Sequence, residues 1–213
     1  MEKIIQKWYK RVDMIKNIRF IASNRYHTLN HLSNLSITFL SIYVVILSLL
    51  SFSQTFKHIN ANDLNIINVS LSIFIMALSL LDSSNQFKLK AIRFHDCGKE
   101  LGVLYNELSF MVDIEKVDIS ERTSEKPTTQ APERVSEEKI REIVARYDAI
   151  IAKYEENHKE IDFQIYRTMK AKVYDISALK VNWIEFKVYL QTRFIYHFLI
   201  FAPPLIIVYQ ISL

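Results

Sequence analysis

Neither Tyr26–Phe56 (YHTLNHLSNLSITFLSIYVVILSLLSFSQTF) nor Leu64–Leu81 (LNIINVSLSIFIMALSLL) contains an Asp, Glu, Lys or Arg. The second stretch has 18 residues. At the rise of an α-helix it covers ~27 Å, close to the hydrocarbon thickness of a bilayer. The first stretch is longer. Between them lies a short gap holding Lys57 and Asp63, enough for a tight reversal. The pair reads as a transmembrane helical hairpin, and any function must be compatible with a membrane.

Composition agrees. The chain has 213 residues, half of them hydrophobic, with two glycines and four prolines. So few turn formers argue against a β fold and for long helices. The lone Cys97 cannot form an internal disulfide, which fits a reducing cytosol around the polar part. The net charge of +4 reads as basic flanks of spans rather than a nucleic-acid surface. The N-terminus is expected to be a retained helix, not a cleaved signal.

The flanks set the orientation. Lys10, Arg11, Lys16, Arg19 and Arg25 precede the first span, and Lys88, Lys90, Arg93 and Lys99 follow the second. Positive residues favour the inside, so both outer flanks are expected in the cytosol and the tip Lys57–Asp63 outside. A third apolar segment, residues 194–213, holds Pro203 and Pro204. It can be a kinked third span, a re-entrant segment or an apolar tail packed on other helices; the kinked span is the preferred reading.

The expected order is an amphipathic cytosolic helix over 1–25, the hairpin over 26–86, and a cytosolic helix over 87–117 continuous with the second span. A mobile linker over 118–138, a second cytosolic helix over 139–178 and an amphipathic membrane-proximal segment over 179–193 follow. Phe87, Ala91, Phe94, Gly98, Leu101, Tyr105, Leu108 and Val112 alternate steps of four and three. So do Ile140, Val144, Tyr147, Ile151, Tyr154, His158, Ile161 and Ile165. Two such seams predict an antiparallel helical pair, extended by Trp8, Val12, Ile15 and Phe20. A single helix from about Leu64 to Glu115 would be ~80 Å long. The linker, with Pro127 and Pro132 and no aromatic residue, should be mobile, and Ser136 before Glu137 and Glu138 marks a helix start. Val181–Leu190 alternates with a period of two but is taken as an amphipathic helix, since a lone strand has no partner.

The second span has a polar edge. Asn65, Asn68, Ser72, Ile75, Ser79, Asp82 and Gln86 step by three and four, and Asn30, Asn34, Ser41 and Ser48 form a thinner match in the first. Such a face must meet protein or water. It is either hydrogen-bonded glue between helices or the lining of a pore made by several copies, with Asp82 at the cytosolic mouth.

Gly98 and Gly102, one turn apart, read as a close-packing device, and His158 is expected to hydrogen-bond Asp162. The spacing of His27 and His31 lacks the further ligands a metal needs. No glycine-rich phosphate loop, zinc motif or serine elbow is present, so no catalytic residue, metal or cofactor is expected and the chain is not read as an enzyme.

The run Lys88-Leu89-Lys90-Ala91, then Arg93 to Leu101 and Leu104-Tyr105, followed by Tyr154-Glu155-Glu156-Asn157-His158 and Asp162-Phe163, resembles the SLATT domain. The name denotes two-transmembrane effectors associated with nucleotide-generating and nucleotide-sensing modules of bacterial conflict systems. The resemblance covers about Trp8 to Met169. It implies an all-α membrane effector of the bacterial inner membrane that oligomerises and breaches the bilayer when infection is sensed, an abortive-infection antiviral role. It assigns Phe94, His95, Gly98, Glu100, Asn157, His158 and Asp162 to scaffold or trigger contacts. No recognisable sensor domain is read in the sequence, so the resemblance implies a separate partner, a nucleotide-synthesising enzyme or a reverse transcriptase system. The competing reading is a non-conducting anchor that recruits a cytosolic partner. A third, a nucleic-acid or nucleotide receptor using Lys88, Lys90, Arg93 and Arg141, has no specific pocket behind it, and direct nucleic-acid binding is not expected.

Overall fold

The computed structural model describes residues 2–52, 61–122 and 137–212. The tip residue Lys57, the central part of the expected linker and the Ser136 helix start lie outside them. Seven helices follow in order: α1 Glu2–Phe52, α2 Ala61–Asn85, α3 Phe87–Arg122, α4 Glu137–Lys153, α5 Glu160–Met169, α6 Ala178–Thr192 and α7 Phe194–Ser212. No strand occurs among the described residues. Residues 118–122 thus continue α3, and Glu137 and Glu138 open α4, which shortens the expected linker at both ends. The period-two stretch Val181–Leu190 is helical, inside α6.

The chain divides into two compact units, Met1–Ser23 with Lys90–Lys170, and Asn24–Leu89 with Ala171–Leu213. The first unit is built on the two seams. Cys97, Leu101, Leu104 and Leu108 of α3 bury themselves against Ile143 and Tyr147 of α4 and Ile5 and Val12 of α1. Each fully buried leucine contributes ~1.5–3 kcal/mol relative to exposure. Pairing is antiparallel: Arg146 grips Glu107 with two bonds of 2.7 and 2.9 Å, while Lys153, two turns on, reaches Glu100, two turns back. Both pairs are partly exposed, so they set register more than they add stability. Start-of-chain packing follows the same sense. Tyr9 stacks on Tyr105 with ring centroids 4.8 Å apart, Phe20 meets His95 edge-on, and the Ser23 hydroxyl donates to the Ala91 carbonyl at 2.8 Å.

The second expected seam helix, 139–178, is interrupted. Residues 154–159 leave the helix and α5 restarts at Glu160. Periodicity could not show this, because the broken backbone is repaired by distant and local side chains. The Asp162 carboxylate accepts the Lys159 N–H at 3.0 Å, and the Arg19 guanidinium of α1 donates to the Glu156 carbonyl. The helix expected to run unbroken from Leu64 to Glu115 carries one break, at Gln86, whose φ of 50° is left-handed. For a residue with a Cβ that conformation costs roughly 1–2 kcal/mol.

In the second unit, α7 stays helical through Pro203 and Pro204. A proline nitrogen cannot donate to the carbonyl four residues back. For Pro204 that carbonyl belongs to Ile200, and it accepts the Tyr43 hydroxyl of α1 at 2.7 Å instead. One turn earlier, the Ser36 hydroxyl approaches the Tyr196 carbonyl at 3.3 Å. In an apolar setting such repair is what allows prolines inside a helix.

Two predictions follow from these contacts. Tyr43→Phe should lower stability by ~1–3 kcal/mol, because a buried carbonyl loses its donor while packing is kept; denaturant titration of the protein in mild detergent measures it, and an unchanged midpoint refutes the repair. The two glycines should respond oppositely. A Cβ on Gly98 would sit 3.0 Å from the Phe20 ring, whereas one on Gly102 meets nothing within 4 Å. Gly102→Ala should therefore stabilise by ~0.5–1 kcal/mol through helix propensity alone, and Gly98→Leu should destabilise. The expected shared packing role thus belongs to Gly98 only.

Candidate functional site

The polar edge of the hairpin lies in the second unit. Asn68 of α2 donates to the Ser48 hydroxyl of α1 at 2.6 Å, and Ser48 in turn donates to the Val44 carbonyl of its own helix. Ser72 and Ser41 likewise satisfy themselves on the carbonyls four residues back. That intrahelical bond leaves a serine free to face lipid or water at low cost. Asn34, Ser41, Asn65, Ser72, Ser79 and Gln86 are exposed. Asp82 is half-buried and one of its carboxylate oxygens is buried with no hydrogen-bond partner. The sequence-predicted row is therefore split: Asn68 and Ser48 tie the two helices, Asp82 turns inward, and the rest faces outward.

The apolar surface beside it is also uncovered. Only 6% of the most apolar 18-residue window of the α2 segment is buried, and 22% of that in α1. A core helix of a water-soluble protein would bury most of this surface.

In the first unit, the family-motif residues gather around the junction of α1, α3 and the residues between α4 and α5. Phe94 is buried and lies beneath the Arg19 guanidinium, 5.3 Å from ring centroid to Cζ. Gly98 backs on Phe20. Glu100 accepts hydrogen bonds from Lys153 and from the Tyr154 hydroxyl, and the Lys153 bond holds its carboxyl below the usual range. Asp162 is fully buried and caps α5. His95 keeps its edge on Phe20 but is largely exposed. Asn157 lies among the residues between α4 and α5 and is exposed. The expected His158–Asp162 hydrogen bond is not formed at Nδ1, which is buried without a partner. One Asp162 oxygen is instead committed to the backbone. Among the described residues, no three of His, Cys, Asp and Glu cluster as metal ligands would.

The residue that sequence reasoning passed over is Arg19, counted above only as a basic flank. Its side chain is 2% exposed. Besides the Glu156 carbonyl and the Phe94 ring it has little: Nε is buried with no partner. A signal existed. Ile5, Trp8, Val12, Ile15, Arg19, Ala22 and Tyr26 step by three and four, so Arg19 occupies an apolar seam position. A buried guanidinium without a carboxylate is costly, several kcal/mol before its hydrogen bonds and ring contact offset it.

Arg19 also acts on His158. Burial first, then the nearby Arg19 charge, pull the imidazole below its ordinary 6.5, against Asp162 and Glu160, which pull upward. The unfolded chain then binds a proton near pH 6.5 that the folded chain refuses, so stability falls as pH drops through that value. His158→Asn should flatten the melting temperature between about pH 5 and 7. An equally steep profile in the variant would show that another group titrates.

Residues 1–209 match the SMODS and SLOG-associating 2TM effector domain family 5. No curated protein and no solved structure matches. With two long apolar helices, an all-helical polar part and a match over nearly its whole length, the chain belongs to the SMODS and SLOG-associating 2TM effector domain family 5, a membrane effector family of conflict systems.

Proposed function

We propose that this effector acts by breaching the bacterial inner membrane, as an assembly of several copies that meet through the polar edge of α2. The observation that carries the reading is the uncovered row Asn65, Ser72 and Ser79 on a helix whose other faces expose Ile66, Val69, Ile73, Met76 and Leu80. Lipid suits the apolar faces and not the row, so in a bilayer the row requires protein or water. Neighbouring copies around an axis supply both. Asp82, at the basic-flanked end of the span, would favour cations there.

Orientation rests on the basic residues on either side of the hairpin, which favour the cytosol for the N-terminus and the polar unit. The α6 helix fits the cytosolic face of the membrane. Leu179, Trp183, Phe186 and Leu190 step by four, three and four, and all four are exposed. Lys180 and Lys187 lie on other faces, the pattern of a helix resting in the headgroup layer. The signal for assembly is assigned to a separate partner, a nucleotide-synthesising enzyme or a reverse transcriptase system.

A second reading, a non-conducting anchor, draws on the Asn68–Ser48 bond, which is glue within one chain. The double change Ser72→Leu and Ser79→Leu separates the two. In the effector reading it abolishes uptake of a membrane-impermeant dye on triggered expression, while the chain still fractionates with membranes. Dye uptake at the wild-type rate in the variant, or no uptake by the triggered wild type, refutes the pore.

A further inference from the structure

The first unit contains a cleft of about 190 Å³ lined by Arg19, Arg93, Phe94, Lys153, Tyr154, Glu155 and Glu156. Its cations are unequal. Lys153 is neutralised by Glu100, which also takes the Tyr154 hydroxyl. No carboxylate among the described residues pairs with Arg19 or Arg93. Arg19 is almost wholly buried and its Nε has no partner. Arg93 is exposed at the same cleft, on the helix that carries Phe94. A guanidinium fixed by a ring below it and a carbonyl beside it is pre-organised, so little freedom is lost when it binds an oxyanion.

We propose that this cleft binds a single phosphate group, held between Arg19 and Arg93. Volume decides the size of ligand. At about 30 Å³ per water the cleft holds roughly six waters, below the ~300–1,000 Å³ of sites that enclose drug-sized molecules. A phosphate fits, and a whole nucleotide does not. Charge decides the valence. Glu155 and Glu156 line the same cleft and repel a polyanion, so one phosphate is favoured over a triphosphate or a nucleic-acid backbone. The site also has mechanical leverage. Glu156 belongs to the non-helical residues between α4 and α5, and Arg19 is what holds its carbonyl. A phosphate that draws Arg19 donors to itself competes with that hold.

The proposal rests on the first unit alone and not on pore formation. The test reads binding directly, so its failure leaves the membrane reading untouched. The full chain, purified in a phosphate-free maltoside detergent, is titrated with inorganic phosphate at constant ionic strength. Melting temperature and 31P line width are followed, with chloride and tripolyphosphate as controls. Phosphate should raise the melting temperature saturably, more than chloride and more than tripolyphosphate. Arg93→Ala, a surface change, should weaken phosphate about tenfold while leaving the phosphate-free melting temperature unchanged. Arg19→Lys keeps a charge but loses the fork and should weaken it further; if that variant does not fold, Arg93→Ala decides. Vesicles containing phosphatidic acid identify the source: competition with inorganic phosphate, sensitive to Arg93→Ala, assigns the group to a lipid headgroup, and binding of dissolved phosphate without competition assigns it to a soluble molecule. A response to phosphate no greater than to chloride, or unchanged in Arg93→Ala, overturns the site.

Discussion

A backbone carbonyl removed from water needs a donor, and in this chain several of the helices lose one. Pro204 cannot serve Ile200, and the residues between α4 and α5 leave the helical ladder altogether. In both places the missing donor comes from α1, as the Tyr43 hydroxyl in one compact unit and the Arg19 guanidinium in the other. This 51-residue helix is therefore more than a span with a basic leader. Its side chains stand in for bonds that other segments give up at these two places. An unrepaired carbonyl or N–H in such places would cost ~1–3 kcal/mol, a sizeable share of the stability of most domains.

The same constraint shapes the hairpin. Serines that donate to their own helix can be left facing outward without an orphan group, whereas asparagine and aspartate cannot satisfy themselves so simply. Asn68 finds Ser48, while one Asp82 oxygen stays buried without a partner. What is left outside is a mild polar row on an otherwise oily helix.

Sequence patterns that repeat over many turns were legible. The uncharged stretches Tyr26–Phe56 and Leu64–Leu81, the seams through Leu101 and Tyr147, and the poverty of glycine gave the helices, the antiparallel pair and the family motif from Arg93 to Leu101. They also singled out Phe94, Gly98, Glu100 and Asp162 as family-motif residues, though not that the fold brings them together or what each touches. The i, i+4 spacing brought His158 near Asp162, but it could not show that its Nδ1 would be buried without a partner. Gly102 was given a packing role because its spacing from Gly98 is suggestive, while only Gly98 has a ring against it.

The amino-acid order by itself determined that this is a helical chain with two membrane-length apolar segments and an effector-family signature, since hydrophobic periodicity is a sum over many residues and survives local exceptions. Tertiary structure alone decided where the helices break, how the carbonyl freed by Pro204 is satisfied, and that Arg19 is buried in a seam beside a cleft. The Arg19–Glu156 and Tyr43–Ile200 bonds each join residues more than a hundred positions apart. No local pattern in the sequence encodes such a bond, because its worth is set by what surrounds it after the chain has folded.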